Sequence, residues 1–267
     1  MLEVINYSKK YDRSDRYSAK DISFTVDEGE VVGLVGSNGA GKSTTIKSIV
    51  GILPFGEGKI SVDGHDIVSE QEAAKRLIGY VPDDHSVYEK LTGREYVNYM
   101  GSLYKATKEQ KEFAVTELAS LFEISHALDV QIANYSHGMR QKICILGALV
   151  HEPRLWILDE PMVGLDPQTM LLLRKYIRKY ANNGHMVLFS SHNLDVVKKT
   201  CDKVVFIRKG EVASVIDLRD KPDFDLDTFF YQLNEVKEAV DEMEHSEDNA
   251  TEPAVLEAAA TEKKEGK

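Results

Sequence analysis

Residues 30–53, "EVVGLVGSNGAGKSTTIKSIVGIL", leave this chain few folds to choose from. The valine-rich opening reads as a buried strand. It runs into "GSNGAGKST", residues 36–44, which satisfies G-x-x-x-x-G-K-[ST] through Gly36, Gly41, Lys42 and Ser43. The residues after the lysine read as a helix. Glycines let the main chain wrap closely around phosphates, and successive N–H groups with a helix start supply positive potential there. The loop residues Ser37, Asn38, Gly39, Ala40, Gly41, Lys42, Ser43 and Thr44 are therefore candidate phosphate ligands. Lys42 is placed to reach the β- and γ-phosphates, and Ser43 to ligate Mg²⁺. Kinases, GTPases and ATPases all use such a loop. No guanine-reading "NKxD" is present, which weakens the GTPase option.

The rest of the chain fits an α/β domain. Short β-rich runs come first, "LEVINYS", "KDISFTVDEGEVVGLVG" and "GKISVDGHDI". From about residue 85 to 150 the pattern is mostly helical. Then strand and helix alternate: "LWILDE", "PQTMLLLRKYIRKYANNG", "HMVLFSSH", "NLDVVKKTC" and "DKVVFIRKG". Such alternation predicts parallel strands joined by crossovers. Leu226, Phe229, Phe230, Leu233, Val236, Val240 and Met243 recur at helical spacing. They predict an amphipathic helix whose apolar face packs on the domain or meets a partner. Beyond it the tail reads as acidic and disordered.

Composition excludes several classes. With 267 residues, 42% hydrophobic and 29% charged, the chain suits one large domain or two small ones. Its two cysteines, Cys144 and Cys201, fit a reducing compartment, and Cys144 lies inside an apolar helix. No secretory leader and no run of about 20 apolar residues is present, so neither secretion nor direct membrane insertion is expected. The net charge of −11 argues against a nucleic-acid surface or binding to anionic lipid. Residues 235–267 carry −7 of it, from 11 acidic and 4 basic side chains.

Downstream motifs narrow the chemistry. "RLWILDEP" ends a strand in two acids. Alone they are a solvated turn. Beside a phosphate loop, Asp159 is a candidate for the Mg²⁺ shell and Glu160 for the general base. "GLDP", residues 164–167, follows, and "LFSSHNLD" places His192 just past another strand. Parallel strands finish on one edge, where ligands bind in α/β sheets, so His192 is expected to reach the γ-phosphate. Earlier, "NYSHGMRQK" makes Ser136 a candidate N-cap and Gly138 a point of backbone approach.

The order phosphate loop, "YSHGM", "ILDEP", "GLDP", "SSH" resembles the ATPase subunit of an ABC transporter. The resemblance covers residues 1 to about 234. It implies a P-loop NTPase (RecA-like) parallel-sheet core with an N-terminal antiparallel β subdomain and an inserted α-helical subdomain. The implied nucleotide-binding domain spans 1–221, with the helical part at about 84–150, a C-terminal amphipathic helix at 222–244 and an acidic tail at 245–267. It further implies ATP and Mg²⁺ as cofactors and a head-to-tail pair with a second ATPase subunit. Ser136 and Gly138 then meet the γ-phosphate across the interface, and Asp166 crosses to help position the opposite site. Tyr11 matches the aromatic that stacks on adenine, with Tyr17 as the competitor. The Y-S-x-G-M form is most similar to bacterial exporters with a separate integral membrane permease. That places the chain at the cytoplasmic face of the membrane. Val87, Tyr88, Leu91, Tyr96, Tyr99 and Met100 are then either permease contacts or core.

Three departures from the family pattern stand out. His137 replaces the usual glycine and Met139 the glutamine of the signature loop. His137 is either a tolerated substitution or an added positive charge at low pH. Asp83 stands where the family has glutamine after "VP". A carboxylate is a harder Mg²⁺ ligand than an amide, so Asp83 is expected to join Ser43 and Asp159 at the metal and to make ATP binding more metal-dependent. Two rival functions are disfavoured. A soluble ABC ATPase acting on nucleic acid lacks support from a second phosphate loop, a coiled-coil insertion or a basic patch. A silent nucleotide sensor would not need both Glu160 and His192.

Overall fold

Five parallel strands supply the scaffold in a computed structural model that describes residues 1–11, 16–84, 87–221 and 224–233. Strands β3 (Val31–Val35), β6 (Ile78–Val81), β7 (Leu155–Leu158), β8 (Met186–Ser191) and β9 (Lys203–Arg208) lie in the order β9-β3-β8-β7-β6. An antiparallel edge strand, β10 (Glu211–Asp217), completes the sheet. Strands β3, β7 and β8 are buried at every residue, as strands covered on both faces must be. A second, antiparallel sheet has the order β2-β1-β4-β5, from β1 (Leu2–Lys10), β2 (Tyr17–Val26), β4 (Glu57–Val62) and β5 (His65–Asp66). Apolar side chains from both sheets and from helix α1 (Lys42–Ile49) merge into one core that includes Leu2, Ile22, Val32, Ile46, Ile60 and Leu188. This is the α/β architecture with an antiparallel β subdomain that the motifs implied.

The helical region carries its own start signals. Helix α2 (Gln71–Arg76) lies in the β subdomain. Helices α3 (Gly93–Leu103) and α4 (Lys108–Phe113) each open with a reciprocal capping box, Thr92 with Glu95 and Thr107 with Gln110. After α4 the chain passes through one π-type turn, Ala114–Leu118, into α5 (Ala119–Leu121). Helix α6 (His137–Leu149) is capped by Ser136, whose Oγ accepts from the Met139 N–H at 3.3 Å. Its body buries Cys144 among Ile143, Ile145 and Leu146. Helix α7 (Pro167–Asn182) has proline at its first position, and α8 (Leu194–Thr200) starts on an Asn193 cap.

The short elements β6, β10 and α2 were not expected from the sequence. "IGYV" spans four residues and "EVASVID" is a half-exposed edge, so neither shows a long apolar run. Residues 1–224 form one unit, and residues from 225 a second. In the second, residues 226–233 are helical and Asp225 accepts from the Thr228 N–H at 3.0 Å. The rest of the expected amphipathic helix and the acidic tail lie outside the described residues.

The end of the sheet away from the phosphate loop is pinned by charge. Glu30, 1% exposed just before β3, accepts from Lys203 Nζ at 2.8 Å and Arg219 at 3.2 Å. Next to it Asp202 accepts from the Val31 N–H at 2.8 Å and Arg178 at 2.9 Å. Removing one partner of a buried ion pair strands the other charge. Glu30→Ala is expected to cost about 2–3 kcal/mol, the low side of that effect because Lys203 keeps some solvent contact. That corresponds to a urea midpoint about 1 M lower, read from the fluorescence of the single, fully buried Trp156. An unchanged midpoint would show the network to be no more than solvated charge.

Candidate active site

The strand order β3-β8-β7 decides which residues meet. The phosphate loop leaves the end of β3, Ser190 and His192 sit at the end of β8, and Asp159 and Glu160 follow β7. Because these strands are parallel neighbours, all three ends share one edge. Gly41 holds the turn into α1 at φ +113°, a left-handed value that side chains disfavour. Lys42 folds back over its own loop, donating to the Gly36 carbonyl at 2.7 Å and the Ser37 carbonyl at 3.2 Å. Its Nζ also stands 3.8 Å from Glu160 Oε1.

A cleft of about 360 Å³ opens here. Asn38, Gly39, Ala40, Gly41, Lys42, Ser43, Thr44, Asp83 and Glu160 line it, together with Ser18. Ser37 lies exposed at the loop's start. Thus most of the expected phosphate and metal residues do converge. Tyr11 does not line the cleft; it is 43% exposed, with Lys9 Nζ 5.4 Å from its ring centre. Tyr17 lines a separate hollow with Lys10 and Phe55. Ser136, Gly138 and Asp166 also lie outside the cleft lining. Asp166 caps α7, its carboxylate accepting from the Thr169 N–H at 2.9 Å and hydroxyl at 2.6 Å, and these bonds hold its carboxyl below the usual range.

Glu160 is held on three sides. Its backbone has φ +49°, a left-handed conformation costing about 1–3 kcal/mol in a non-glycine residue. The Glu160 N–H donates to Ser190 Oγ at 2.9 Å. Its Oε2 lies 3.0 Å from His192 Nδ1, so an Nδ1–H tautomer donates to it. The strained turn aims the carboxylate at the cleft, and His192 fixes its rotation. Such a carboxylate can orient and deprotonate a water, the task of a general base.

Asp159 is fully buried, and its Oδ1 accepts from the Ser190 hydroxyl. Its other oxygen, Oδ2, is buried without a hydrogen-bond partner. Burial raises the Asp159 pKa, with the hydroxyls of Ser190 and Ser43 opposing, and the charges of Asp83 and Glu160 adding to the rise. Nearby, the Tyr80 hydroxyl on β6 is buried and unpartnered, and burial with the charges of Asp159, Asp83 and Asp84 raises its pKa too. An orphaned carboxylate oxygen beside a serine hydroxyl suits a hard, oxygen-seeking cation. Among the described residues, no three His, Cys, Asp or Glu side chains group closely enough to hold a metal. Asp159, Ser43 and Asp83 are the residues that would hold a Mg²⁺ ion, which would supply positive charge against bound phosphates.

The sequence reading missed Ser190, which hydrogen-bonds both Asp159 and the Glu160 main chain, and Ser18 in the cleft wall. The only hint of Ser190 was a polar pair closing an apolar strand, "VLFSS".

Comparison with known proteins agrees with this geometry. The ABC transporter family pattern matches residues 19–163. The ABC transporter ATP-binding protein NatA of Bacillus subtilis (strain 168) is 33% identical over 79% of this chain and 87% of its own. The linearmycin resistance ATP-binding protein LnrL of the same organism is 35% identical over 80% of this chain and 68% of its own. A solved structure of the ATP-binding subunit of an ABC transporter is 33% identical, superposes with a TM-score of 0.83, and covers 88% of this chain and 99% of its own.

The site yields a stability prediction. Asp159 has a raised folded pKa, so its negative charge costs stability above the ordinary carboxylate range, and the cost fades as pH falls and the group protonates. Nucleotide-free Asp159→Asn should therefore melt about 1–3 °C higher at neutral pH, with the gain shrinking at acid pH. Equal or lower melting temperatures at neutral pH would contradict this charge balance. Phosphate loop, paired acids after β7 and histidine after β8 thus meet at one edge of one sheet, and the chain belongs to the ABC transporter family as an ATP-binding subunit with ATPase activity.

Proposed function

We propose that this ATPase binds two ATP molecules in a head-to-tail pair with a second subunit and drives export through a separate membrane permease. The observation that carries the pairing is Gly138. A Cβ there would meet only ordinary contacts, Gly164 O at 3.7 Å and Leu165 at 3.9 Å, and its φ is not positive. Nothing inside the protomer demands glycine at this position. Main-chain approach by a phosphate from outside does, and Gly138 sits in the first turn of α6, where free N–H groups favour anions. Both half-sites are present on one chain, so two copies suffice, though a related subunit could replace one.

In that pair Lys42 and the loop N–H groups hold the triphosphate, Glu160 acts as base and His192 reaches the γ-phosphate. Ser136 and Gly138 close the site from the partner, Asp166 helps position it, and Tyr11 stacks on adenine. Mg²⁺ rests on Ser43, Asp159 and Asp83. The permease reading is supported by two facts. Among the described residues no helix is long and apolar enough to cross a membrane. Tyr88 and Tyr99, 55% and 40% exposed, pack edge to face at 5.2 Å on the helical region's surface. Tyr96 is buried and belongs to the core instead, while Val87, Leu91 and Met100 are half-buried. Export, rather than uptake, is the reading that fits the similarity to the Nod factor export ATP-binding protein I of Sinorhizobium fredii (strain NBRC 101917 / NGR234), and in an exporter this subunit works at the cytoplasmic face of the membrane.

Glu160→Gln is expected to cut hydrolysis by about 100-fold or more while ATP converts the monomer into a stable dimer on size exclusion. Normal turnover would remove Glu160 as base, and a persistent monomer would remove the paired site. Copurification of a permease from native membranes tests the transport reading directly. Asp83 gives a separate measurement. Its carboxylate lines the cleft near Asp159, so without metal it repels the triphosphate. Asp83→Ala should shrink the ratio of ATP Kd values without and with Mg²⁺ by about tenfold, the effect of a modest Coulomb term. An unchanged ratio would leave Asp83 without a metal-linked role.

A further inference from the structure

His137, the residue that departs from the usual signature loop, has a specific neighbour. It opens α6 directly after the Ser136 cap and lies against Gly164 of the "GLDP" loop. A Cβ added to Gly164 would fall 2.4 Å from His137 Cδ2 and 2.7 Å from its Nε2. Gly164 is favoured by its φ of +77°, and the exposed His137 imidazole lies where a side chain there would go, so one of the two would have to move. The same turn of α6 is tied to the same loop at another point. Gln141, fully buried, donates from Nε2 to the Pro161 carbonyl. Lys142 is close enough for its charge to help hold the Asp166 carboxyl ionised. Residues 160–166, which begin with Glu160 and end with Asp166, thus run against the first turn of α6, and a glycine at 137 would leave the ring's place empty.

We propose that His137 is a positioning residue that couples the two nucleotide sites of the dimer. The inference rests on the head-to-tail reading above. The signature loop of one protomer serves the ATP bound to its partner, whereas Glu160 of that same protomer serves its own. Seating a phosphate against Ser136 and Gly138 fixes the first turn of α6. Through the His137 ring on Gly164 and Gln141 on Pro161, it also fixes the segment that aims Glu160. Gln141 is fully buried and cannot yield without opening a void, and the solvent-exposed His137 ring adds a second contact that is lost if it swings off Gly164.

The test is a double-mutant cycle across positions 137 and 164, with melting temperatures confirming that each variant folds. His137→Ala should leave the ATP affinity of the dilute monomer, measured with a fluorescent ATP analogue, within about twofold. It should bring the Hill coefficient of hydrolysis close to 1 and lower kcat about fivefold or more. His137→Phe restores a flat ring and should recover most of the cooperativity. Gly164→Ala should damage the wild type more than it damages His137→Gly, since backbone strain at 164 is common to both and cancels. An additive cycle, or a Hill coefficient unmoved by His137→Ala, overturns the coupling even where ATP-driven dimers of Glu160→Gln form normally. If Glu160→Gln fails to dimerise with ATP, the head-to-tail reading fails and the coupling falls with it. Should Gly164→Ala not fold, the comparison of alanine with phenylalanine at 137 decides the matter.

Discussion

The Ser190 hydroxyl is where the sheet and the chemistry are joined. It donates to Asp159 Oδ1 and accepts from the Glu160 N–H at 2.9 Å, so one β8 side chain fixes both acids that follow β7. A hydroxyl can do both because it carries one donor and two acceptor lone pairs. The strand order makes this possible. With β8 between β3 and β7, Ser190 and His192 stand between the phosphate loop and the acids. Glu160 then holds its left-handed backbone without drifting, since its main chain is bonded to the neighbouring strand and its carboxylate is flanked by His192. A strained, pre-aimed carboxylate does not have to be ordered before it can meet a ligand in the cleft.

Charge is arranged so that the ligand completes the site. Asp83, Asp159 and Glu160 face one lysine, and that lysine spends its hydrogen bonds on the carbonyls of its own loop. Asp159 is fully buried, Glu160 partly and Asp83 exposed, and this excess of negative charge in one cleft disfavours the free protein and favours whatever brings positive charge. Asp159 pays through its raised pKa, and the orphaned Oδ2 and Tyr80 hydroxyl mark the place where partners are missing. The other end of the sheet is arranged the opposite way. There Glu30 is fully matched by Lys203 and Arg219, and the anchor needs nothing further. One edge of the domain is finished by the chain itself, and the other is finished by nucleotide.

Much of this was legible in the sequence because the signals were covalently local. The phosphate loop, the Ser136 cap, and the apolar strand ending in Asp159 and Glu160 are each set by a few adjacent residues. The order of those motifs was enough for the family and for the α/β sheet. What the sequence hid was set by pairing across the fold. Strand β6 has four residues and owes its place to parallel bonding with β7. Strand β10 is an edge whose half-exposed pattern reads as loop until β9 is beside it. Ser190 was one serine among many until the strand order put it between two acids. Tyr96 and Tyr99 sit three residues apart on α3, yet one is buried and the other exposed, a division that depends on which face meets α6.

His137 is the case where local reading and structure differ most in what they ask. Read along the chain, it is a polar residue in the first turn of a helix, with no demand upon it. Read in space, it and Gly164 form a matched pair, since the ring fills the volume that glycine leaves open. Substituting either one changes what the other can be, and that dependence is invisible to any motif that treats the two loops separately. Gly138 next to it shows the complementary logic. It has room for a side chain inside the protomer and is glycine all the same, which is what the paired-site proposal rests on. Both positions lie beside the same loop: the His137 ring, itself exposed, rests against Gly164, and the Cβ position of Gly138 stands 3.7 Å from Gly164 O. Contact at Gly138 and the seating of His137 on Gly164 therefore bear on the one loop that runs from Glu160 to Asp166.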